Sequence, residues 1–486
     1  MAIIEAIRGI IMKCYKLPQN FRIGASTSAW QTEGWAGKKE NSDHFVDMMY
    51  KAVPERWHNN TGPMVATDFY HRWESDIALM VETGMDTVRT SIDWSRFIDD
   101  YEKCTVNEEG AKFYDQVIDA IIRRGIEPMI CLEHWEMPVE LYEKYGGYAS
   151  TKVINLFVKY AQQVFARYRG KVKCWWTFNE PIVIPQLCFM DGFWYPYVNN
   201  AKLAMQWIYG KVLCNAKTVK LFKDMKMEGT IGIILNPSLV YPRSENNPQD
   251  VKAQEIADLF YWRSFMDPCV KGSFPEELVE LLKKENCMFD YTDEELQIIR
   301  ENIIDILGMN YYQPLRVMAQ KYSWQVNIPF HPNKYFEEYN MPGKKVNPWR
   351  GWEIYPRGLY DIAMRIKNEY GNIPWMVLEN GMGVENEDQH KDSTGRIQDD
   401  YRIEFMSEHL AYLLKSIEEG CNCQGYLVWN FIDNISPVNS LKNRYGLVEL
   451  DLSDNMARKM KKSGFWFKDL HDTRQFQAEK IEKEYK

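Results

Sequence analysis

Eight runs of apolar and β-branched residues recur along the chain, at 21–27, 87–94, 127–135, 173–181, 229–238, 304–314, 374–381 and 425–434. Most are continuously apolar, which predicts strands buried on both faces. Amphipathic helical patterns separate most of them. In 113–124 (FYDQVIDAIIRR) and 153–169 the apolar residues recur at three and four positions. Glycines close several of these patterns, as at Gly125 and Gly371. Eight strand–helix units in sequence predict an α/β fold, a single (β/α)8 TIM barrel. A doubly wound open sheet is the architectural alternative. No Gly-x-Gly-x-x-Gly turn follows the first run, which weakens it. Residues 241–302 (charged and helical) and 320–350 (turn-rich) read as long insertions after barrel strands.

The chain of 486 residues has no Pro/Gly/Ser-rich linker, so one large barrel accounts for it better than several domains. The expected organisation is an N-terminal extension at 1–16, the barrel at 17–470, and a charged tail at 471–486. The extension reads as a short amphipathic helix on the barrel surface, the tail as a surface helix or frayed end. Glu5 and Arg8 interrupt the apolar start, making it a poor signal peptide. No run approaches a membrane span, and the cytoplasm is the expected compartment. The ten cysteines are scattered and suggest reduced thiols. Cys421 and Cys423 have no second pair to complete a metal site. A net charge of −9 argues against general nucleic-acid binding. The 17 Trp and 29 Tyr suit a sugar site, where CH faces pack on rings, but large cores use aromatics as well.

Barrel enzymes carry their chemistry at the strand C-termini. Here those ends are polar or aromatic: Gln31 and Glu33, Arg89 and Asp93, Glu133, His134 and Trp135, Asn179 and Glu180, Asn236, Asn310 and Tyr312, Glu379, and Trp429, Asn430 and Asn434. A lone strand-end glutamate is commonly an ion-pair partner or helix cap. Two on the fourth and seventh strands, facing across one mouth, suit an acid/base and a nucleophile.

The segments around them resemble glycoside hydrolase family 1, from about Leu17 to about Leu470. Thr177-Phe178-Asn179-Glu180-Pro181 is similar to that family's acid/base motif. Leu378-Glu379-Asn380-Gly381 is similar to its nucleophile motif, with Leu378 where threonine is usual. Residues 26–34 (STSAWQTEG) are similar to its opening motif. The resemblance implies a retaining β-glycosidase, with Glu180 as acid/base and Glu379 as nucleophile, using no metal or organic cofactor. It implies that Arg89 and Tyr312 keep Glu379 charged and oriented, with Asn310 beside them. Asn179 would hold the sugar 2-hydroxyl, and Gln31, His134 and Trp135 would line the same subsite. Trp429 would floor the sugar and Trp352 would pack on the aglycone.

One motif departs from the family. Members acting on plain sugars carry Asp-Asn-x-Glu-Trp after strand eight, the glutamate binding the 4- and 6-hydroxyls. This chain has Asp433-Asn434-Ile435-Ser436-Pro437. The branch acting on 6-phosphoglycosides also has serine there, with a lysine seven residues on and a tyrosine nine on. Those positions hold Asn443 and Tyr445, with Lys442 adjacent. Three readings remain: a β-glycosidase for another or substituted glycone, a 6-phospho-β-glycosidase using Ser436, Lys442 and Tyr445, or a sugar-binding protein without catalysis. The first two would act on a small-molecule β-glycoside or phosphoglycoside, by hydrolysis or transglycosylation, and oligomeric state stays open.

Overall fold

The structure, a computed structural model, describes residues 11–325 and 329–481. Each of the eight apolar runs forms a strand. They are β1 (Arg22–Ser26), β2 (Thr87–Ser91), β3 (Glu127–Cys131), β4 (Cys174–Asn179), β5 (Thr230–Leu235), β6 (Ile306–Asn310), β7 (Trp375–Glu379) and β8 (Cys423–Trp429). All pair in parallel, each with its neighbours in chain order, and β8 closes the ring on β1 from Gly425 opposite Arg22 to Trp429 opposite Ser26. This is the predicted (β/α)8 barrel.

The continuous apolar runs follow from two layers of burial. Alternate residues fill the ring, including Met129, Trp176, Ile234, Met376 and Leu427. The others pack on the surrounding helices, as Ile23, Ile130, Trp175 and Val377 do. Helix Glu108–Arg123 shows the matching helical pattern, burying Phe113, Tyr114, Val117, Ile118 and Ile121 on one face. Asn107 caps it by accepting from Glu109 N and Gly110 N, and Glu108 and Glu109 complement its N-terminal dipole.

The insertions carry secondary structure of their own. The first contributes helices Pro248–Asp258, Glu276–Lys284 and Asp293–Glu301. Part of the second, Phe336–Glu338, pairs with Leu315–Ala319, which pairs in turn with Val240–Pro242.

The chain ends differ from expectation. Residues 1–10 and 482–486 lie outside the described residues, but Met12–Lys16 is a strand rather than part of a helix. It pairs antiparallel with Gln475–Glu479 in the tail, and Tyr15 stacks on Phe476 at 5.5 Å. The tail segment alternates exposed and buried residues with period two, which is a strand pattern. Helix Lys462–Thr473 stops just before it, at Arg474 in the left-handed region. All ten cysteines are free thiols, nine of them buried. No helix among the described residues is long and apolar enough to cross a membrane.

Candidate active site

Glu180 follows the last residue of β4 and Glu379 is the last residue of β7, and the two belong to one cluster. β4 shifts register between Trp176 and Asn179, and the chain then turns sharply. Asn179 N donates to Glu133 O at 2.9 Å and Glu180 N to Ile234 O at 2.9 Å, so both neighbouring strands fix the turn. Glu180 has φ +46°, a region costly for a residue with a Cβ. On the other side, a Cβ at Gly381 would lie 1.9 Å from Trp429 O, so only glycine lets β7 and β8 converge there.

Glu379 receives the Arg89 guanidinium on Oε1 and the Tyr312 hydroxyl on Oε2, the latter at 2.7 Å. Asn310 donates to Glu180 Oε1 at 2.9 Å and to Asn179 Oδ1 at 3.1 Å. Burial pushes the Glu180 carboxyl up to about 8, the Glu379 charge pushes in the same direction, and the Asn310 hydrogen bond opposes both. Burial also raises Glu379. Arg89 and the Tyr312 and Asn310 hydrogen bonds counter it only in part, so the net direction is upward. The expected acidifying effect of Arg89 is present but outweighed by desolvation.

His134 sits between these groups. Burial and the Arg89 and Lys211 charges push its pKa well below the usual range, so the ring is neutral. Arg89 can only donate, and it lies 2.9 Å from Nδ1, so Nδ1 accepts and the proton sits on Nε2. Asn179 Nδ2, 3.3 Å from Nε2, is also a donor. The two donor nitrogens therefore lie side by side. Trp429 stacks on His134 with centroids 5.9 Å apart, and Arg89 lies over the same indole at 5.7 Å.

Around this cluster several buried polar atoms have no hydrogen-bond partner in the protein: Trp135 Nε1, Asn236 Oδ1, Asn310 Oδ1, both amide atoms of Asn430, and Asn434 Nδ2. Burying such atoms unpaired is costly, and their concentration at one end of a barrel marks a polar ligand site. Other strand-end charges serve the scaffold. Glu33 holds Arg96, and Glu133 holds Lys211 and Trp135 N.

The remaining expected residues are placed unequally. Gln31 has one bond from each amide atom within the protein, accepting from Ser28 Oγ at 2.7 Å and donating to Ile435 O at 2.8 Å. It thereby ties β1 to the loop carrying Ser436. Ser436 starts a tight turn, bonded both ways to Ser440 through the backbone. Trp352 packs on Tyr312 at 5.4 Å, and Tyr445 meets Tyr312 edge-on at 6.5 Å. Lys442 is not brought to the carboxylates. Its ammonium pairs with Glu385 at 3.0 Å and lines a separate cavity of about 440 Å³ with His58, Arg444 and Asp451. A residue the sequence reading passed over stands there instead: the Arg350 guanidinium lies 4.2 Å over the Trp352 ring and donates to Asn443 Oδ1 at 3.2 Å.

A pair of buried carboxyls at the strand ends of a (β/α)8 barrel suits glycoside cleavage. The sequence profile of glycosyl hydrolase family 1 matches residues 14–476, and the chain belongs to that family. It is a retaining β-glycosidase, hydrolysing β-linked glycosides by double displacement. A 6-phospho-beta-glucosidase, GmuD, of Bacillus subtilis is 45% identical over 94% of this chain and 97% of its own length. Beta-glucosidase A of Acetivibrio thermocellus is 31% identical over 93% of this chain and 97% of its own. The solved family 1 β-glucosidase from Thermotoga maritima superposes with a TM-score of 0.85 at 28% identity, covering 95% of this chain and 99% of that one.

Proposed function

We propose that the enzyme is a 6-phospho-β-glycosidase in which Glu379 attacks the anomeric carbon while Glu180 protonates the leaving oxygen. The observation that carries the substrate assignment is Ser436. It stands where members acting on plain sugars carry a glutamate, and a carboxylate there would repel a phosphate. Tyr445 keeps the position of the branch's tyrosine, and its ring contacts Tyr312, the partner of Glu379. The 45% identity to a 6-phospho-beta-glucosidase supports the same reading.

The catalytic roles rest on the environments of the two carboxyls. Glu180, raised to about 8, holds a proton at neutral pH and can donate it. Glu379 is held by two donors in a fixed orientation. Once Glu379 is esterified its charge is gone, so Glu180 becomes more acidic and can accept a proton from the attacking water. Asn179 Nδ2 and His134 Nε2–H are the donors for sugar hydroxyls, and Trp429 stacks beneath. The free thiols support the cytoplasm as the compartment.

The test compares nitrophenyl β-glucoside with its 6-phosphate, using wild type and Ser436→Glu. Wild type should favour the phosphate, and Ser436→Glu should remove or invert the preference. Faster turnover of the plain glucoside by wild type would refute the assignment.

A further inference from the structure

We infer that Arg350, carried by the insertion after β6, is the cation that recognises the 6-phosphate. This rests on the 6-phosphoglycosidase reading above and names the group that reading lacks. The 6-phosphate branch supplies a lysine from the loop after strand eight, but this chain has Asn443 at that place, and Lys442 is neutralised by Glu385. Arg350 reaches the same point from the opposite side. Its Nη1 donates to Asn443 Oδ1 at 3.2 Å, and its positive charge acts on the neighbouring Tyr445 hydroxyl. Tyr445 in turn packs on Tyr312, which holds Glu379. The cation is thus two aromatic rings from the carboxylate cluster.

Three features make Arg350 a site for an anion. It forms no ion pair with any described carboxylate, although this acidic chain pairs most of its other buried or half-buried arginines. Its Nε is buried and has no partner in the protein. Its plane is fixed by the Trp352 face, so its remaining N–H groups are held as a fork, the geometry that matches a phosphate. The neighbouring Tyr445 hydroxyl adds a donor without adding negative charge.

The structural alternative is that Arg350 only props Trp352 and Tyr445. Kinetic selectivity separates the two roles. The measurement is the ratio of kcat/KM for nitrophenyl 6-phospho-β-glucoside to that for nitrophenyl β-glucoside. Arg350→Gln should lower the ratio by roughly 30- to 100-fold, mainly through KM for the phosphate, as expected for loss of one charged partner. Lys442→Gln should keep it. Asn443→Lys in the Arg350→Gln background should recover part of it by returning a cation from the other loop. Stabilisation of the wild type by glucose 6-phosphate in a thermal shift, beyond that given by glucose, should vanish in Arg350→Gln. A wild type with no preference for the phosphate would defeat the function proposed above. A wild type with the preference, retained in Arg350→Gln or lost only in Lys442→Gln, would overturn the role of Arg350 alone. Equal losses on both substrates would reduce Arg350 to a prop.

Discussion

Glu180 holds its proton because the fold makes ionisation costly there, and that cost falls on stability as well. In the unfolded chain it would ionise near its ordinary value of 4.5, whereas in the folded protein it does so at about 8. Between those values the unfolded state binds fewer protons, so folding stability falls as pH rises. Glutamine has no proton to lose. Glu180→Gln should therefore melt above wild type at pH 8, with a gain that shrinks toward pH 4.5; equal melting temperatures across that range would show that the site tolerates the charge. The same variant should lose its alkaline activity limb on a substrate whose leaving group needs no protonation, because the acid form is then not required. At this scale the two glutamates were legible from sequence, since a charged residue ending a fully apolar strand must face a strand mouth. Lys442 was not. Whether a loop side chain points toward the sugar or away depends on one residue of register, and a turn gives no periodicity to count. Arg350 was invisible for another reason: it reaches Asn443 from a different loop, and only closure of the barrel brings the two together.

The loop after β8, to which the proposed function gives substrate choice, is held by a buried charge network. Asp433 accepts Lys461 at 2.8 Å and Gly446 N at 2.8 Å. Lys461 also reaches Glu387, which binds Arg402, and Arg402 donates to Tyr445 O at 3.1 Å. Tyr445 is thus fixed through its backbone as well as its ring. Burial acts to raise the Asp433 carboxyl, but Lys461, Arg444 and Arg402 outweigh it and hold it below the usual range. A depressed carboxyl stabilises the fold above its unfolded value, and that contribution disappears as pH falls through the folded one. Asp433→Asn leaves Lys461 short of a counter-charge and should cost about 3–5 kcal/mol in urea unfolding at pH 7. The difference from wild type should narrow under acid conditions, and a constant difference down to the acid limit would assign the loss to packing instead. Elements of this kind were only half legible. The barrel strands could be read because burial on both faces writes an unbroken apolar run. Gln475–Glu479 offered just five residues of alternation, and its partner lies at the other end of the chain.

Across the whole molecule, the two ends meet in a two-stranded sheet beside the entry to β1. Leu17 N donates to Arg474 O, and Arg474 returns a bond to Phe21 O, so the clasp abuts the N-terminal side of the ring. The carboxylates lie at the other side. Tyr15→Ala and Phe476→Ala, each removing a ring 4% and 5% exposed, should cost about 3 kcal/mol apiece. Because the rings stack, the double variant should lose less than the sum. Unfolding midpoints would measure this, and kcat/KM should hold wherever the variants remain folded. A drop in kcat/KM matching the drop in stability would mean that the clasp shapes the catalytic face. The pairing of β8 with β1 carries a further consequence. Trp429 comes from the last strand, the His134 it stacks on from just after the third, and the two carboxyls from the ends of the fourth and seventh. No fragment made of the earlier strands contains all of these groups, so the site proposed for hydrolysis is assembled only when the ring is shut. For a chain emerging from the ribosome, competence arrives with the eighth strand rather than growing with length.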